Sequence, residues 1–366
     1  MKAVITPPDL VIVVPTFNEA ANVQLLAEAV QDAMGDLPYE IVFVDDNSPD
    51  GTADRVRELA RSDSRVRIVH RYGRRGLSSA CVEGILASAA PYCVVMDADF
   101  QHDERVIPEL YRRIRSDQVD LVVGSRYTDG GSLGEWSRSR VAISRLATAM
   151  ATRLTGVAIT DPMSGFFAVR RDVFLRSLPN LSSVGFKILL DIAASAPAAI
   201  SVAEVPYTFR TRQRGESKLD TLVLWEYLEL LIDKTVGRYI PTRFISFALV
   251  GAIGIAVHFS VLTSLYKGFG QSFGVAQAAA TTVAITSNFL FNNMLTYSDR
   301  RLKGYRLLWG WITFNLICAT GAAANVGVAD YLFERPMNWV LSALAGILVS
   351  VVWNYAISNA ITWRKR

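Results

Sequence analysis

Up to about residue 237, short apolar runs alternate with stretches of helical spacing. Five runs, each four or five residues long and together rich in valine and isoleucine, lie at Leu10–Val14, Ile41–Val44, Val66–Val69, Tyr92–Met96 and Leu121–Gly124. Such runs are typical of buried strands in a parallel sheet. The alternation predicts an α/β domain with a Rossmann-like parallel sheet, whose ligands bind at the carboxyl ends of the strands.

Beyond Pro241 the pattern changes to long apolar segments. We find four of them, at Phe244–Tyr266, Phe273–Tyr297, Leu307–Phe333 and Trp339–Trp363. Each has the roughly 20 residues that a membrane-spanning helix needs. We therefore predict two domains, residues 1–237 and 238–366, of which the second is an all-α transmembrane domain of four helices.

The apolar part repeats internally. Asn288–Tyr297 parallels Asn354–Trp363, which predicts two duplicated helical hairpins. Two pairs of small residues are matched in the same way, Gly251 and Gly254 with Gly321 and Ala324. Small residues let helices approach closely, and asparagines can bond between them.

Basic residues cluster on one side of the predicted spans. The clusters lie at 234–243, 300–306 and 364–366, whereas the alternate loops carry only Lys267 and Arg335 as basic residues. By the positive-inside rule, the first domain, the middle loop and the C-terminus are cytoplasmic. The run Leu10–Val14 is too short for the core of a signal peptide, which agrees with that orientation.

Composition and charge exclude several classes of protein. The 366 residues are 51% hydrophobic and 20% charged, a mixture that fits a soluble domain joined to a membrane domain. The net charge of +4 argues against a nucleic-acid binder. Cys81, Cys93 and Cys318 have no metal-binding spacing. The sequence after the first strand, residues 15–19, is Pro-Thr-Phe-Asn-Glu rather than GxGxxG, which argues against a dinucleotide-dependent dehydrogenase.

Two carboxylates follow the fourth predicted strand, one residue apart. Asp97 and Asp99 lie on the same side of the chain if the strand geometry continues. With the side-chain carbonyl of Gln101 they offer hard oxygen ligands that suit Mg²⁺ or Mn²⁺. A nucleoside diphosphate leaving group needs such a cation. We therefore predict a divalent-metal site here, with His102 as a structural residue or a cap of the strand end.

Polar residues also follow the first two strands. Asp45 and Asp46 come directly after the second strand, where a carboxylate can accept hydrogen bonds from a base or a ribose. Phe17 and Glu19, after the first strand, are placed to line a base pocket. The sequence at 50–52, Asp-Gly-Thr, instead predicts a turn and a helix cap.

Seven motifs in order resemble one family. They are residues 15–19 (PTFNE), 44–51 (VDDNSPDG), 76–79 (GLSS), 97–102 (DADFQH), 124–127 (GSRY), 161–167 (DPMSGFF) and 212–218 (RQRGESK). The set looks like the dolichol-phosphate (polyprenol-phosphate) mannose synthases, which are inverting glycosyltransferases of the α/β GT-A fold. The apolar half resembles the GtrA-like membrane domain of some of these synthases. One departure is Phe17, where many relatives carry tyrosine.

The resemblance implies a reaction and a role for each motif residue. The reaction would transfer mannose from GDP-mannose to a polyprenyl or dolichyl phosphate at a lipid bilayer, with Mg²⁺ or Mn²⁺ as cofactor. The implied metal ligands are Asp97, Asp99 and Gln101. The implied nucleotide-binding residues are Pro15, Phe17, Glu19, Val44, Asp45, Asp46, Asp97 and Ala98. The implied catalytic residues are Asp99, which would hold the metal and the donor diphosphate, and five residues that would meet the lipid and donor phosphates: Arg126, Arg140, Ser144, Arg212 and Lys218.

The chemistry supports the cationic residues independently. A lipid phosphate is already an anionic nucleophile near neutral pH, so the reaction needs no general base. The site must instead bring two anions together, which favours arginines that hold phosphate through two parallel hydrogen bonds.

Two amphipathic stretches are candidates for contact with the bilayer. Residues 137–157 have apolar residues at helical spacing and only basic charges, which is typical of an interfacial helix, although a core-facing helix has the same spacing. Residues 219–236 form a second, less basic candidate.

Three other functions remain open on the sequence. A glucosyltransferase that uses UDP-glucose would need the same constellation. A translocase of lipid-linked sugars with an inactive soluble domain would not need the intact set of Asp97, Asp99 and Gln101. A processive polysaccharide synthase would carry a QxxRW-like motif, which the sequence lacks.

Overall fold

The chain divides into two compact units, Met1–Thr235 and Val236–Arg366. The computed structural model describes residues 8–128, 152, 156, 159–182, 187–210, 229–230, 232–234, 236–237, 240–335 and 338–364. Most of the two predicted interfacial helices, 137–157 and 219–236, lies outside these residues.

The first unit is a sheet covered by helices. Its strands are β1 (Leu10–Thr16), β2 (Tyr39–Asp45), β3 (Val66–His70), β4 (Tyr92–Val95), β5 (Leu121–Ser125), β6 (Phe167–Arg170) and β7 (Val202–Pro206). Its helices are α1 (Val23–Met34), α2 (Thr52–Ser62), α3 (Leu77–Leu86), α4 (Ile107–Ser116), α5 (Arg171–Ser177) and α6 (Ile188–Ser195), with short 3₁₀ turns at Glu104–Val106 and Leu178–Asn180.

The sheet is mixed rather than wholly parallel. The strand order is β3-β2-β1-β4-β6-β5-β7, and β6 runs antiparallel to both of its neighbours. The five predicted strands are confirmed, but the prediction of a fully parallel sheet is wrong. The strand β6 starts at the edge where β4 and β5 end, with Phe167 opposite Val95 and Val123, and runs back between them.

Apolar side chains fill both faces of the sheet. Successive residues of β1 alternate between two clusters, with Leu10, Ile12 and Val14 in one and Val11 and Val13 in the other. The first cluster includes residues of α1, α2 and α4, and the second includes residues of α3, α5 and α6. Because both faces are covered, the ends of the strands are where polar loops gather.

The second unit consists of long helices. They are α7 (Thr242–Thr263), α8 (Phe273–Phe291), α9 (Tyr305–Phe333) and α10 (Trp339–Ile357), and π-helical turns extend α7, α8 and α10 at Ser264–Gly268, Asn292–Thr296 and Ser358–Thr362. Within the described residues, three helices are long and apolar enough to cross a membrane: Thr242–Gly268, Tyr305–Phe333 and Leu341–Thr362. All four predicted segments are thus helical, and α8 is the one that is not among these three.

The internal repeat is confirmed, with a corrected register. The helices α7 and α8 pack together, as do α9 and α10. The Asn288 amide lies against Gly254, and the Asn354 amide lies against Gly321 in the same way. Gly254 therefore corresponds to Gly321, and the predicted match of Gly251 with Gly321 is wrong.

Two equivalent aromatic residues hold the hairpins together. Tyr297 and Trp363 each follow the π-helical turn of their hairpin, and their rings stack at 4.2 Å with an interplanar angle of 3°. Both rings are buried, Tyr297 at 0% and Trp363 at 1% exposure. The stack joins the two halves of the duplication at corresponding positions.

The close approach of α7 and α8 predicts a position-specific effect of alanine. A Cβ atom at Gly254 would lie 2.2 Å from Asn288 Oδ1, so Gly254→Ala forces the packed amide to move. Gly251 lies one turn earlier on the same helix and has no atom within 4 Å of such a Cβ, so Gly251→Ala is the matched control. We expect Gly254→Ala to be less stable than the control by about 1–3 kcal/mol. Thermal unfolding of the purified protein in detergent measures this, and equal stability of the two variants would contradict the packing.

Candidate active site

Three adjacent strands end at one edge of the sheet. In the order β2-β1-β4, Thr16 at the end of β1 pairs with Asp45 at the end of β2, and β4 ends two residues before Asp97. The predicted motifs at 15–19, 44–51 and 97–102 therefore meet at this edge.

The loop after β1 is bonded to the loop after β2. Three backbone amides of the first loop donate to three side chains of the second at 2.9–3.1 Å, in the pairs Asn18–Ser48, Glu19–Thr52 and Ala20–Asp50. Asp50 also accepts the N–H of Thr52 at 3.1 Å, where α2 begins. The predicted turn and cap at 50–52 is thereby confirmed.

Asp45 is fully buried and closes the turn that follows β2. Its carboxylate accepts the backbone N–H of Ser48 at 2.9 Å, the Ser48 hydroxyl at 2.5 Å and the Thr16 hydroxyl at 3.3 Å. The Val44 side chain lies in the core, as does that of Ala98. Contacts of these residues with a nucleotide stay a prediction.

Asp46 binds a buried arginine. Arg71 is 1% exposed and donates to Asp46 Oδ1 at 2.7 Å, to the Gly76 carbonyl at 3.1 Å and to the Ser79 hydroxyl at 2.6 Å. The Gly76 N–H donates to Asp46 Oδ2 at 2.8 Å. Burial raises the pKa of Asp46, and the Gly76 N–H and Arg71 oppose that rise.

The sequence analysis did not select Arg71. Its position could have indicated a role at the site, since it is the first residue after β3 and the neighbouring strand ends carry the motifs. Its contacts join the loops after β2 and β3, so it positions Asp46 relative to the loop that carries Gly76.

Asp97 and Asp99 do not continue the geometry of the strand. The strand β4 ends at Val95, and Phe100 has a φ of +61°, a value that a bulky residue rarely adopts. The Asp97 side chain is 40% exposed, whereas Asp99 is 5% exposed and accepts the Gln101 N–H at 3.0 Å. The strand geometry on which the expected same-side placement depended does not continue, and both carboxylates lie in the turn that follows β4.

His102 is a structural residue, as predicted. Its Nδ1 accepts the Asp97 N–H at 3.1 Å, and its ring stacks on Phe166 at a centroid distance of 5.2 Å. Burial lowers the pKa of His102 to about 4. The ring is therefore neutral near pH 7, with its proton on Nε2 because Nδ1 is an acceptor.

Gly165 makes room for Asp97. A Cβ atom at Gly165 would lie 3.2 Å from Asp97 Oδ2 and 3.3 Å from His102 Cε1. The adjacent Ser164 hydroxyl donates to the Gly124 carbonyl at 2.7 Å, which fixes this segment against β5. The 161–167 motif thus supports the acidic turn at residues 97–101 from the side of β5 and β6.

Arg126 forms a buried, two-pronged ion pair. Its Nε and Nη2 atoms donate to the Asp161 carboxylate at 2.7 and 2.8 Å, and Asp161 is 0% exposed. The Phe209 ring lies 5.2 Å from the guanidinium. Burial alone would lower the pKa of Arg126, but the bonds and charge of Asp161 raise it above its ordinary value. The predicted phosphate contact of Arg126 stays a prediction.

Arg210 connects the segment after β7 to the acidic turn and the residues that follow it. It donates to Asp103 at 2.6 Å and to Glu104 at 2.9 Å, and its backbone N–H donates to the Gln101 carbonyl at 3.0 Å. The sequence analysis missed this residue, which lies two positions before Arg212. The other predicted phosphate ligands, Arg140, Ser144, Arg212 and Lys218, lie outside the described residues.

Comparison with known proteins agrees with this architecture. A mixed GT-A-like sheet with an acidic turn at its ligand edge, followed by apolar helices, defines a membrane-bound glycosyltransferase. The family model for glycosyl transferase family 2 matches residues 11–177, and the model for the GtrA/DPMS transmembrane domain matches residues 246–363.

The curated proteins that resemble the chain define its family more narrowly. It is 35% identical to the dolichol-phosphate mannosyltransferase of Pyrococcus furiosus over 96% of this chain and 98% of that protein. It is 35% identical to the protein of the same name from Saccharomyces cerevisiae over 70% of this chain and 96% of that one, and 35% identical to the polyprenol monophosphomannose synthase of Mycolicibacterium smegmatis over 57% and 80%. The chain belongs to the dolichol-phosphate mannosyltransferase family.

The buried ion pair predicts a large effect on stability. Arg126→Ala leaves the buried Asp161 charge uncompensated, so we expect it to lower the free energy of unfolding by about 3–5 kcal/mol. The matched control is Arg170→Ala, which breaks a two-pronged pair with Asp172 whose side chains are 39% and 48% exposed, and should cost at most about 1 kcal/mol.

Chemical denaturation in mild detergent measures both variants. Adding Asp161→Asn to Arg126→Ala should recover part of the loss, because it removes the uncompensated charge. Equal destabilisation by the Arg126 and Arg170 variants would show that the buried ion pair stabilises the protein no more than the exposed one does.

Proposed function

We propose that this protein transfers mannose from GDP-mannose to a polyprenyl or dolichyl phosphate, with inversion at the sugar carbon. The observation that carries the proposal is the Asp97, Asp99 and Gln101 turn, positioned beside two bonded loops at one edge of the sheet. The relatives named above support mannose as the sugar and a polyprenyl phosphate as the acceptor.

The acidic turn fits a divalent cation, Mg²⁺ or Mn²⁺. Among the described residues no three His, Cys, Asp or Glu side chains form a group, so the two carboxylates need further oxygen ligands. Gln101 would supply one: its Nε2 faces the Arg210 carbonyl at 3.5 Å, and its Oε1 is an acceptor. Donor phosphate oxygens would complete the set. The cation would neutralise the charge that develops on the leaving diphosphate.

The protein residues act by binding and by orientation. Phe17 and Glu19 lie on the loop after β1 and Asp46 on the loop after β2, where they would surround the nucleotide. His102 is buried and neutral, and its Nδ1 is bonded to a backbone N–H, so it is not available as a general base. A phosphate nucleophile needs no such base. Arg126, Arg140, Ser144, Arg212 and Lys218 would hold the lipid and donor phosphates.

We assign the first unit and the C-terminus to the cytoplasmic side of the membrane. This orientation requires an even number of crossings, so α8 must cross together with α7, α9 and α10. Its 19 residues include no charged side chain and it packs against α7, which supports that role. The stretches 137–157 and 219–236 would bring the site to the lipid phosphate.

A donor assay tests the proposal directly. With radiolabelled GDP-mannose or UDP-glucose and a short polyprenyl phosphate, we expect lipid-linked product from GDP-mannose. Product from UDP-glucose instead would establish the glucosyltransferase. Absence of product from either donor, with passage of a supplied lipid-linked sugar across vesicles, would establish the translocase.

The metal assignment has its own test. Chelation of divalent cations should abolish product, and Mg²⁺ or Mn²⁺ should restore it. Asp99→Ala should reduce the rate about a hundredfold to a thousandfold, since it removes a ligand of the charge-stabilising cation. The control Asp117→Ala removes a carboxylate at the end of α4 that is 41% exposed, and should retain full activity. Unchanged product formation in the chelator would overturn the metal site.

A further inference from the structure

The guanidinium of Arg75 covers the ring of Phe17. Its central carbon lies 4.4 Å from the ring centroid, well within the range of a cation–π contact. Arg75 is exposed and belongs to the loop between β3 and α3. Phe17 lies on the loop after β1, one of the two bonded loops at the ligand edge. The contact therefore joins two loops across the proposed donor site.

Arg75 differs from the other arginines of its loop. Arg71 is buried against Asp46, and Arg74 forms an ion pair with Glu83 at 3.1 Å. Among the residues that the structure describes, the ion pairs of this loop within 4 Å are those of Arg71 and Arg74, and none involves Arg75. Since no carboxylate within that range holds the Arg75 side chain, the aromatic ring is its anchor.

Arg75 is also linked to Asp46. Burial raises the pKa of Asp46, and the Gly76 N–H and the charges of Arg71 and Arg75 oppose this rise. Asp46 also holds the N–H of Gly76, the residue that follows Arg75. One end of the Arg75 backbone is thus fixed at the site while the side chain reaches over the ring.

A nucleobase and Arg75 cannot both lie directly on this ring face. A separation of 4.4 Å is about one stacking distance, which leaves no space for a second flat group between them. Guanidinium planes stack on nucleobases as well as on aromatic side chains. A long, exposed side chain can move outwards by one more layer without disturbing the fold.

We propose that Arg75 is a positioning residue for the nucleotide donor. The base of the donor takes the place of the guanidinium on the Phe17 ring, and Arg75 then stacks on the outer face of that base. The base is held between Phe17 and Arg75. This inference rests on the proposed function, because it takes the donor to be a nucleoside-diphosphate sugar bound at this edge.

Titration calorimetry of the full-length protein in detergent, with GDP and Mn²⁺, tests the proposal. Arg75→Ala should weaken GDP binding about tenfold, as expected when one stacking partner of a base is lost. The matched control is Arg74→Ala, which removes the same charge from the same loop and should leave the affinity within about twofold. Arg75→Lys keeps the charge but lacks the plane, so it should lose most of the same affinity.

A ligand without a base separates stacking from attraction of phosphate. Inorganic pyrophosphate, measured as a competitor of GDP, should bind Arg75→Ala and the wild-type protein equally well. Equal GDP affinity in the Arg74 and Arg75 variants, full rescue by lysine, or an equal loss for pyrophosphate would overturn the proposal. If the wild-type protein binds UDP rather than GDP, the same comparison is made with UDP. Binding of neither nucleotide would overturn the donor assignment itself.

Discussion

Buried charge at the ligand edge of the sheet is the constraint on which the site depends. Asp45, Asp161 and Arg71 are at most 1% exposed, and a charge removed from water needs close partners. The partners of each of these three residues lie on a different loop or across a tight turn. Those bonds fix the loops after β1, β2 and β3 and the segment before β6. Asp97, in contrast, is 40% exposed, and Gly165 keeps the space beside its carboxylate open.

The fold could be predicted from sequence where the signal is local. The strands β1 to β5 are short apolar runs that a parallel sheet requires, and all five are present. The direction of β6 has no local signal, because a four-residue strand pairs in either direction and only its neighbours decide. The placement of Asp97 and Asp99 could not be predicted for a related reason. Alternation of side chains holds only inside a strand, and β4 ends at Val95, two residues before Asp97.

The difference between local and tertiary signals also explains the corrected register of the membrane unit and the two arginines that the sequence analysis missed. The repeated asparagines could be aligned by their letters, but small residues recur every three or four positions along a helix, so only the contact of Gly254 with Asn288 fixes the register. Arg71 and Arg210 act through tertiary contacts with Asp46, Asp103 and Glu104. Their positions next to the motifs are visible in the sequence, but the carboxylates that they bind are not.

These ion pairs limit which cations can bring two phosphates together. Arg71, Arg126 and Arg210 are each bound to one or more carboxylates, so none of these pairs adds net positive charge to the site. Repulsion between a donor diphosphate and a lipid phosphate must be offset by other groups. Under the proposed function, a divalent cation at the acidic turn would supply part of that charge. The rest would come from the sequence-predicted Arg140, Arg212 and Lys218, while Arg126, already paired with Asp161, would contribute hydrogen bonds to phosphate rather than net charge.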